Sequence, residues 1–232
     1  MAERAGFEAS RHDRLVEALA GGLEPVRPLP APGIRAALWL GVAMLAGLLL
    51  VAEAGLTGFM LRMQVPDLAL AAVGAVLTAI TAAYAAFATS VPGRSGRWAL
   101  LPLPPLALWI GASGLGCLRD WIAPGTDIPG VHTATGCFSF LLCVSVPLSA
   151  LIVVMLRRAC PLRPNLTAAL GGLAVSAAAA ALLMPVHPHD ATATDLLMHA
   201  AAVAIVIAVN GLAGGRLLAP SARAARNASE PV

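Results

Sequence analysis

Lysine, aromatic residues and charge are scarce or missing in this 232-residue sequence. It contains no lysine, only 4% of its residues are aromatic, and only 12% are charged. The basic residues are all arginine, and they lie beside hydrophobic runs instead of forming one stripe with interleaved aromatics. Because nucleic-acid-binding surfaces combine a basic patch with aromatic stacking platforms, the sequence predicts no direct binding to nucleic acid.

Recognisable catalytic motifs are missing too. The sequence has no glycine-rich phosphate loop, no nucleophile elbow and no paired carboxylates, so we expect neither an enzyme nor a required cofactor. Glu53 is the one acidic residue inside the long apolar runs, and it lies near the end of its run. A proton or ion relay through the membrane therefore lacks its usual carboxylates.

What the sequence has in abundance is long apolar runs. Hydrophobic residues make up 59% of the chain, and its mean hydropathy is +0.82. Six runs are each about 20 residues long, which is the length of a helix that crosses a bilayer. Their many small residues predict close helix packing, with the pairs Gly111/Gly114 and Gly171/Gly172 as points of approach. We predict an all-α polytopic membrane bundle of six transmembrane helices, with spans at about 36–57, 68–90, 98–117, 134–156, 165–184 and 196–218.

The arginines are divided unequally between the two sides of this predicted bundle. Arginines cluster beside the connections on one side, whereas the other side has only Arg62 and Arg119. The positive-inside rule places the richer side in the cytoplasm, so both termini are predicted to be cytoplasmic, with residues 219–232 as a disordered tail. The arginines of the richer side are Arg27, Arg35, Arg94, Arg97, Arg157, Arg158, Arg163, Arg216, Arg223 and Arg226.

Residues 1–35 form the predicted cytoplasmic N-terminal segment. Ser10 and Asp13 have the spacing of a helix start, with Ser10 as the cap, and Gly21 with Gly22 supplies a stop. The helix is amphipathic, and the prolines after it predict an extended tether. Its apolar stripe consists of Leu15, Val16, Leu19 and Leu23, and the tether contains Pro25, Pro28, Pro30 and Pro32.

Two interpretations of this helix remain open. The stripe could lie flat on the lipid surface, or it could dock into the groove of a partner protein. Its polar face mixes Arg14 with Glu17 instead of being strongly basic, which favours a protein partner over anionic lipid.

Cysteine and histidine residues gather on the predicted outer face. Cys117 ends the third span there and Cys137 begins the fourth, while the last outer loop and the start of the sixth span add His187, His189 and His199. Together they indicate a possible redox site, or a site for a soft or borderline metal ion acting as a signal. Their spacing matches no named zinc motif, which favours the alternative that the loop histidines contact water or lipid headgroups and that His199 bonds to a neighbouring helix. Cys143 is expected to pack inside its span, Cys160 to be an ordinary cytoplasmic thiol, and Asn210 to bond another helix.

The order of several short motifs resembles a family of bacterial six-helix membrane anti-sigma factors, the NrsF-like negative regulators of extracytoplasmic-function (ECF) sigma factors. The resemblance runs over nearly the whole chain. It is carried by Leu15 to Leu19, Pro25 to Pro30, Ser90 to Arg94, Trp98 to Trp109, Gly116-Cys117, Gly136 to Phe138, Leu156 to Arg158, Pro161 to Pro164, and His187 to Asp190 with His199.

The resemblance implies that the cytoplasmic segments hold an ECF sigma factor at the bacterial inner membrane and release it in response to stress at the outer face. The sigma-binding residues would then be Arg14, Leu15, Val16, Leu19 and Leu23 of the leader, with Arg94, Arg157 and Arg158 of the connections. In the family, a cysteine at the start of the fourth span and another in the last outer loop are linked to sensing of heavy metal or oxidant. Cys137 matches the first.

The second family cysteine has no counterpart here, because the corresponding loop reads His187-Pro188-His189-Asp190. Three possibilities remain: a Cys117–Cys137 disulfide, a metal bound by Cys137 with His187, His189 and His199, or a different signal. A small membrane transporter or channel is the alternative function, and a purely structural partner of another membrane complex is a third. The oligomeric state stays open.

Overall fold

The computed structural model of the chain describes residues 2–22, 28–55, 57, 59–60, 63–122, 131–186 and 193–218. Every regular element within these ranges is helical and none is a strand, which confirms the predicted all-α class. The helices are α1 (Ala2–Gly21), α2 (Pro32–Ala54), α3 (Pro66–Thr89), α4 (Leu103–Ile122), α5 (Val131–Arg157), α6 (Pro164–Leu183), α7 (Ala193–Val209) and α8 (Gly215–Leu218). A 3₁₀ helix, Gly96–Leu100, precedes α4, and a π-helical turn, Asn210–Gly214, joins α7 to α8.

Six segments are long and apolar enough to cross a membrane, as predicted. They are Pro32–Glu53, Pro66–Thr89, Gly96–Arg119, Thr135–Arg157, Pro164–Leu183 and Thr194–Leu218. Five of them begin earlier than predicted, and three of these five begin at a proline, namely Pro32, Pro66 and Pro164. Proline suits the first turn of a helix because the N–H that it lacks would have no partner there. Pro32 therefore belongs to α2 and not to the tether.

These earlier starts bring charged residues into the helices. Asp67 lies in the first turn of α3 and Asp195 in the first turn of α7, where it is fully buried. The prediction that Glu53 is the one acidic residue of the spans is therefore wrong, because it placed each span within the apolar run alone.

The central helix of the bundle is α6. Nearly all of its side chains from Thr167 to Leu183 are buried, and α3, α5 and α7 pack around it. A Cβ atom added to Gly172 would lie 2.9 Å from the Cβ atom of Asn210 on the segment that follows α7, so the predicted close approach at Gly172 is confirmed. Asn210 also donates hydrogen bonds to Ser149 Oγ of α5 (2.9 Å) and to Val206 O (2.8 Å), so the predicted interhelical bond is confirmed.

The predicted close approach at Gly111 and Gly114 is wrong. A Cβ atom added at either position would have no neighbour within 4 Å. The tight contact between α3 and α4 lies instead at Gly74, where an added Cβ atom would be 2.7 Å from the backbone nitrogen of Trp109. The sequence spacing therefore identified small residues correctly but did not identify which face they occupy.

Helix α1 is longer than predicted. It begins at Ala2, so Ser10 lies inside it and does not cap it. Residues before Ser10 such as Ala2, Glu3 and Ala5 favour helix, which explains the extension. The predicted end at Gly21 is confirmed. Leu23 and Pro25, like the predicted tail 219–232, lie outside the described residues.

Candidate functional site

The apolar stripe of α1 is exposed. Leu15, Val16 and Leu19 are 57%, 64% and 65% accessible, and every side chain from His12 to Gly22 is exposed. Leu19 is four residues after Leu15 and three after Val16, and residues with these spacings are neighbours on a helix surface, so the three form a continuous apolar surface. A helix that leaves its apolar side uncovered by its own chain presents a docking surface.

The arginines near the connections lie at one end of the bundle. Arg35, at the start of α2, donates hydrogen bonds to Ser90 Oγ after α3 (3.3 Å) and to Met155 O near the end of α5 (2.5 Å). The guanidinium group of Arg163 lies against Gly96, which joins the connection before α6 to the one before α4. We call this region the Arg-rich end; its described members are Arg35, Arg94, Arg97, Arg157, Arg158, Arg163 and Arg216.

Two kinds of arginine occur at the Arg-rich end. Arg94, Arg157 and Arg158 are exposed, as a surface that recognises a partner requires. Arg35 is only 4% exposed, and its guanidinium carbon lies 4.7 Å from the centroid of the Phe87 ring. Arg35 therefore holds helices together, whereas the other three remain accessible.

The opposite end, which we call the Cys/His end, contains Asp67, Cys117, Arg119, Cys137, Asp195 and His199. Arg119 Nη1 donates to Asp67 Oδ1 at 3.0 Å, which ties α4 to α3. Asp67 Oδ2 is buried, and a Cβ atom added to Gly116 would lie 2.8 Å from it. Gly116 therefore makes room for this ion pair.

Cys137 is buried in an apolar cluster where α5, α6 and α7 meet. Its neighbours in the cluster include Leu141, Leu183 and Ala202. Asp195 interacts electrostatically with Cys137 and with His199. A chemical change at Cys137 would therefore act directly on the packing of three helices.

The two sensing hypotheses, a disulfide and a metal site, both stay predictions. All four cysteines are free thiols in this structure; Cys117 is half-buried on α4, and the Cys117–Cys137 disulfide stays a prediction. Among residues 131–186, 193–218 and the other described ranges, no three His, Cys, Asp or Glu side chains form a group that could hold a metal ion. His187 and His189 lie outside those ranges, so the four-ligand metal hypothesis also stays a prediction. Cys143 is exposed on α5, so the expectation that it packs inside its span is wrong.

A cavity of about 630 Å³ lies between α4 and α7, with α3 and α6 as its floor. It extends along α7 from Leu196 to Ile207, which at 1.5 Å per residue is roughly 16 Å. Its wall is almost wholly apolar, and Asp67 and His199 place one part of it at the Cys/His end. Pockets for small molecules have volumes of roughly 300 to 1,000 Å³, so this cavity is of that size.

Comparison with known family models identifies the family to which the chain belongs. A family model described as "Negative regulator of sigma F" (NrsF) matches residues 19–219. The chain belongs to the NrsF family. It is thus a member of a family of negative regulators of a sigma factor, and a sigma factor is the partner that this description implies. No curated protein and no solved structure matches the chain.

The residues matched by the NrsF family model include some of the candidate site residues and leave out others. The match covers all six apolar segments, the Arg-rich end and the Cys/His end. It begins at Leu19, near the end of α1, so Arg14, Leu15 and Val16 lie outside the matched region. The stripe on α1 is therefore supported by its own exposure and only in part by the family match.

Proposed function

We propose that this chain is a membrane-bound anti-sigma factor that sequesters an ECF sigma factor at the bacterial inner membrane and releases it on an envelope, metal or oxidative stress signal. The observation that carries the proposal is the exposed apolar stripe of Leu15, Val16 and Leu19 in a chain of the NrsF family. Amphipathic helices commonly bind partner proteins by laying such a stripe in an apolar groove.

The distribution of arginine indicates on which side of the membrane the partner is held. An excess of arginine marks the cytoplasmic side of a membrane protein, so the Arg-rich end faces the cytoplasm and the Cys/His end faces outward. α1 is then joined to the cytoplasmic end of α2, on the side where a sigma factor meets RNA polymerase. Exposed Arg94, Arg157 and Arg158 supply a second, basic contact surface on that side.

Deletion of residues 2–22 tests the proposal. The candidate sigma factor is one encoded by an adjacent open reading frame, and it is co-purified with the tagged full chain and with the deleted chain. We expect capture by the full chain and loss of capture by the deletion. The deletion stops at Gly22 because removing residues through 35 would also remove the buried Arg35 and the first turn of α2. Equal capture by both chains would contradict the proposal.

The signal is proposed to act on Cys137 and the neighbouring histidines. Cys137 packs against both α6 and α7, so its oxidation or metal ligation would change the arrangement of helices that also reach the Arg-rich end. To move a two-state equilibrium from 1:99 to 99:1, a signal must favour the releasing state by about 5.5 kcal/mol. A metal site with several ligands supplies free energy on that scale.

Induction of sigma-dependent transcription by metal and by peroxide tests this signal. We expect Cys137→Ser to abolish the response to at least one of them, and His187→Ala/His189→Ala to abolish the metal response. Cys143→Ser is the matched control, because Cys143 lies on the same helix with an exposed thiol outside the cluster. Wild-type induction in the Cys137 and histidine variants would remove the Cys/His end from the mechanism.

A further inference from the structure

We propose that the cavity between α4 and α7 binds an uncharged, single-chain amphiphile that enters from the bilayer, with an oxygen-bearing head group such as a hydroxyl placed towards the Cys/His end. This ligand site is independent of sigma-factor binding. The proposal rests on the shape of the cavity, on its opening, and on the polar groups that its wall presents.

The cavity opens sideways, towards the space that lipid occupies. Ile110 on its α4 wall is 64% exposed, and Ala200 and Ala204 on its α7 wall are exposed as well. Apolar cavities exclude water and bind apolar molecules. An elongated apolar space that runs along α7 and opens on the side of a membrane bundle therefore suits an alkyl chain.

The polar groups of the wall select the head group. Ser113 is a polar side chain of the wall, and its hydroxyl is able to donate and to accept a hydrogen bond. Asp67 also borders the cavity, but its Oδ1 atom accepts from Arg119 and its Oδ2 atom is buried near Gly116. A hydroxyl or carbonyl oxygen of a ligand can bond the hydroxyl of Ser113 without bringing a charge into an apolar space.

A formal charge on the ligand would be poorly accommodated. The carboxylate of Asp67 is already neutralised by Arg119, and the buried Asp195 interacts with His199 from outside the wall. A carboxylate or ammonium head would lose its hydration without gaining a counter-ion in the wall, and that loss is costly. An uncharged head is therefore preferred over either charged form.

Photolabelling of the full chain in lipid nanodiscs tests the proposal. Four probes carry the same diazirine-bearing alkyl chain: a fatty alcohol, a fatty acid, an alkylammonium and a phosphatidylcholine. We expect the alcohol to label the α4 and α7 walls saturably, with competition by unlabelled dodecanol, and the charged probes to label them about ten-fold less. Ser113→Ala should lower labelling by the alcohol about five-fold, as expected for one lost neutral hydrogen bond.

Ala204→Phe and Ala208→Phe form a matched pair. Both positions are exposed on α7, but only Ala204 lines the cavity, so the first variant should abolish wall labelling and the second should preserve it. If Ala204→Phe fails to fold, Gly114→Leu fills the cavity from α4, where an added Cβ atom meets nothing within 4 Å. Equal labelling by phosphatidylcholine, or labelling that survives a folded cavity-filling variant, would overturn the proposal.

Discussion

Replacing Leu19 by aspartate should release the sigma factor from the membrane. Leu19 is 65% exposed in the free chain, and in the proposed complex it is buried in the partner's groove between Leu15 and the following turn. An apolar anchor at the centre of an interface commonly contributes 2 kcal/mol or more, so we expect the dissociation constant to rise about 30-fold or more. Titration of the purified full chain in nanodiscs with labelled sigma factor measures this change.

Ala18→Asp is the matched control for Leu19→Asp. It adds the same charge to the adjacent position of the same exposed helix, where the side chain points about 100° away from that of Leu19. Both substitutions replace a good helix former with the same residue, so a loss of helix would affect the two variants alike. Equal affinities for wild type and Leu19→Asp would contradict docking through the stripe and favour a helix that lies on the lipid surface.

The sequence predicted the membrane architecture because its signal is repeated over many residues. Each apolar run spans about one bilayer, and the six runs match the six apolar segments of the structure. Errors of a few residues in the predicted helix starts changed which charged residues were assigned to the helices. Arg35, Asp67 and Asp195 all lie within a few residues of those starts. Prolines at Pro32, Pro66 and Pro164 were the signal that would have corrected three of the starts.

The candidate sites were predictable to different degrees. The stripe on α1 follows from helical periodicity, because its residues are close in sequence and need no tertiary information. The burial of Cys137 against Leu183 and Ala202 depends on how three helices pack, which periodicity does not specify. The cavity between α4 and α7 depends on that packing too: Gly114 borders it, although the sequence had predicted a close helix contact there.

Among the side chains at the Arg-rich end, that of Arg35 is expected to contribute most to the free energy of unfolding. Its guanidinium group bonds Ser90 and Met155 O and lies over Phe87, so one side chain joins the start of α2 to α3 and α5. Hydrogen bonds from a charged group contribute about 1.5–3 kcal/mol each and a desolvated cation–π contact about 2 kcal/mol, offset by the cost of burying the charge. For Arg35→Met we expect a net loss of about 2–4 kcal/mol in the free energy of unfolding.

Unfolding of the purified chain, followed by circular dichroism during denaturant titration, measures that loss. Arg94→Met is the control, since it removes the same charge at the same end of the bundle from an exposed position and should change stability by less than about 0.5 kcal/mol. Arg35→Lys should fall between Arg35→Met and wild type, because a lysine ammonium keeps the charge but lacks the planar fork that reaches two acceptors at once. Equal stability of Arg35→Met and Arg94→Met would show that the buried contacts of Arg35 contribute nothing. The predicted difference in stability would instead show that Arg35 holds the beginning of α2 against the rest of the bundle. Because α1 is joined to that end of α2, Arg35 also fixes the point at which α1 is attached.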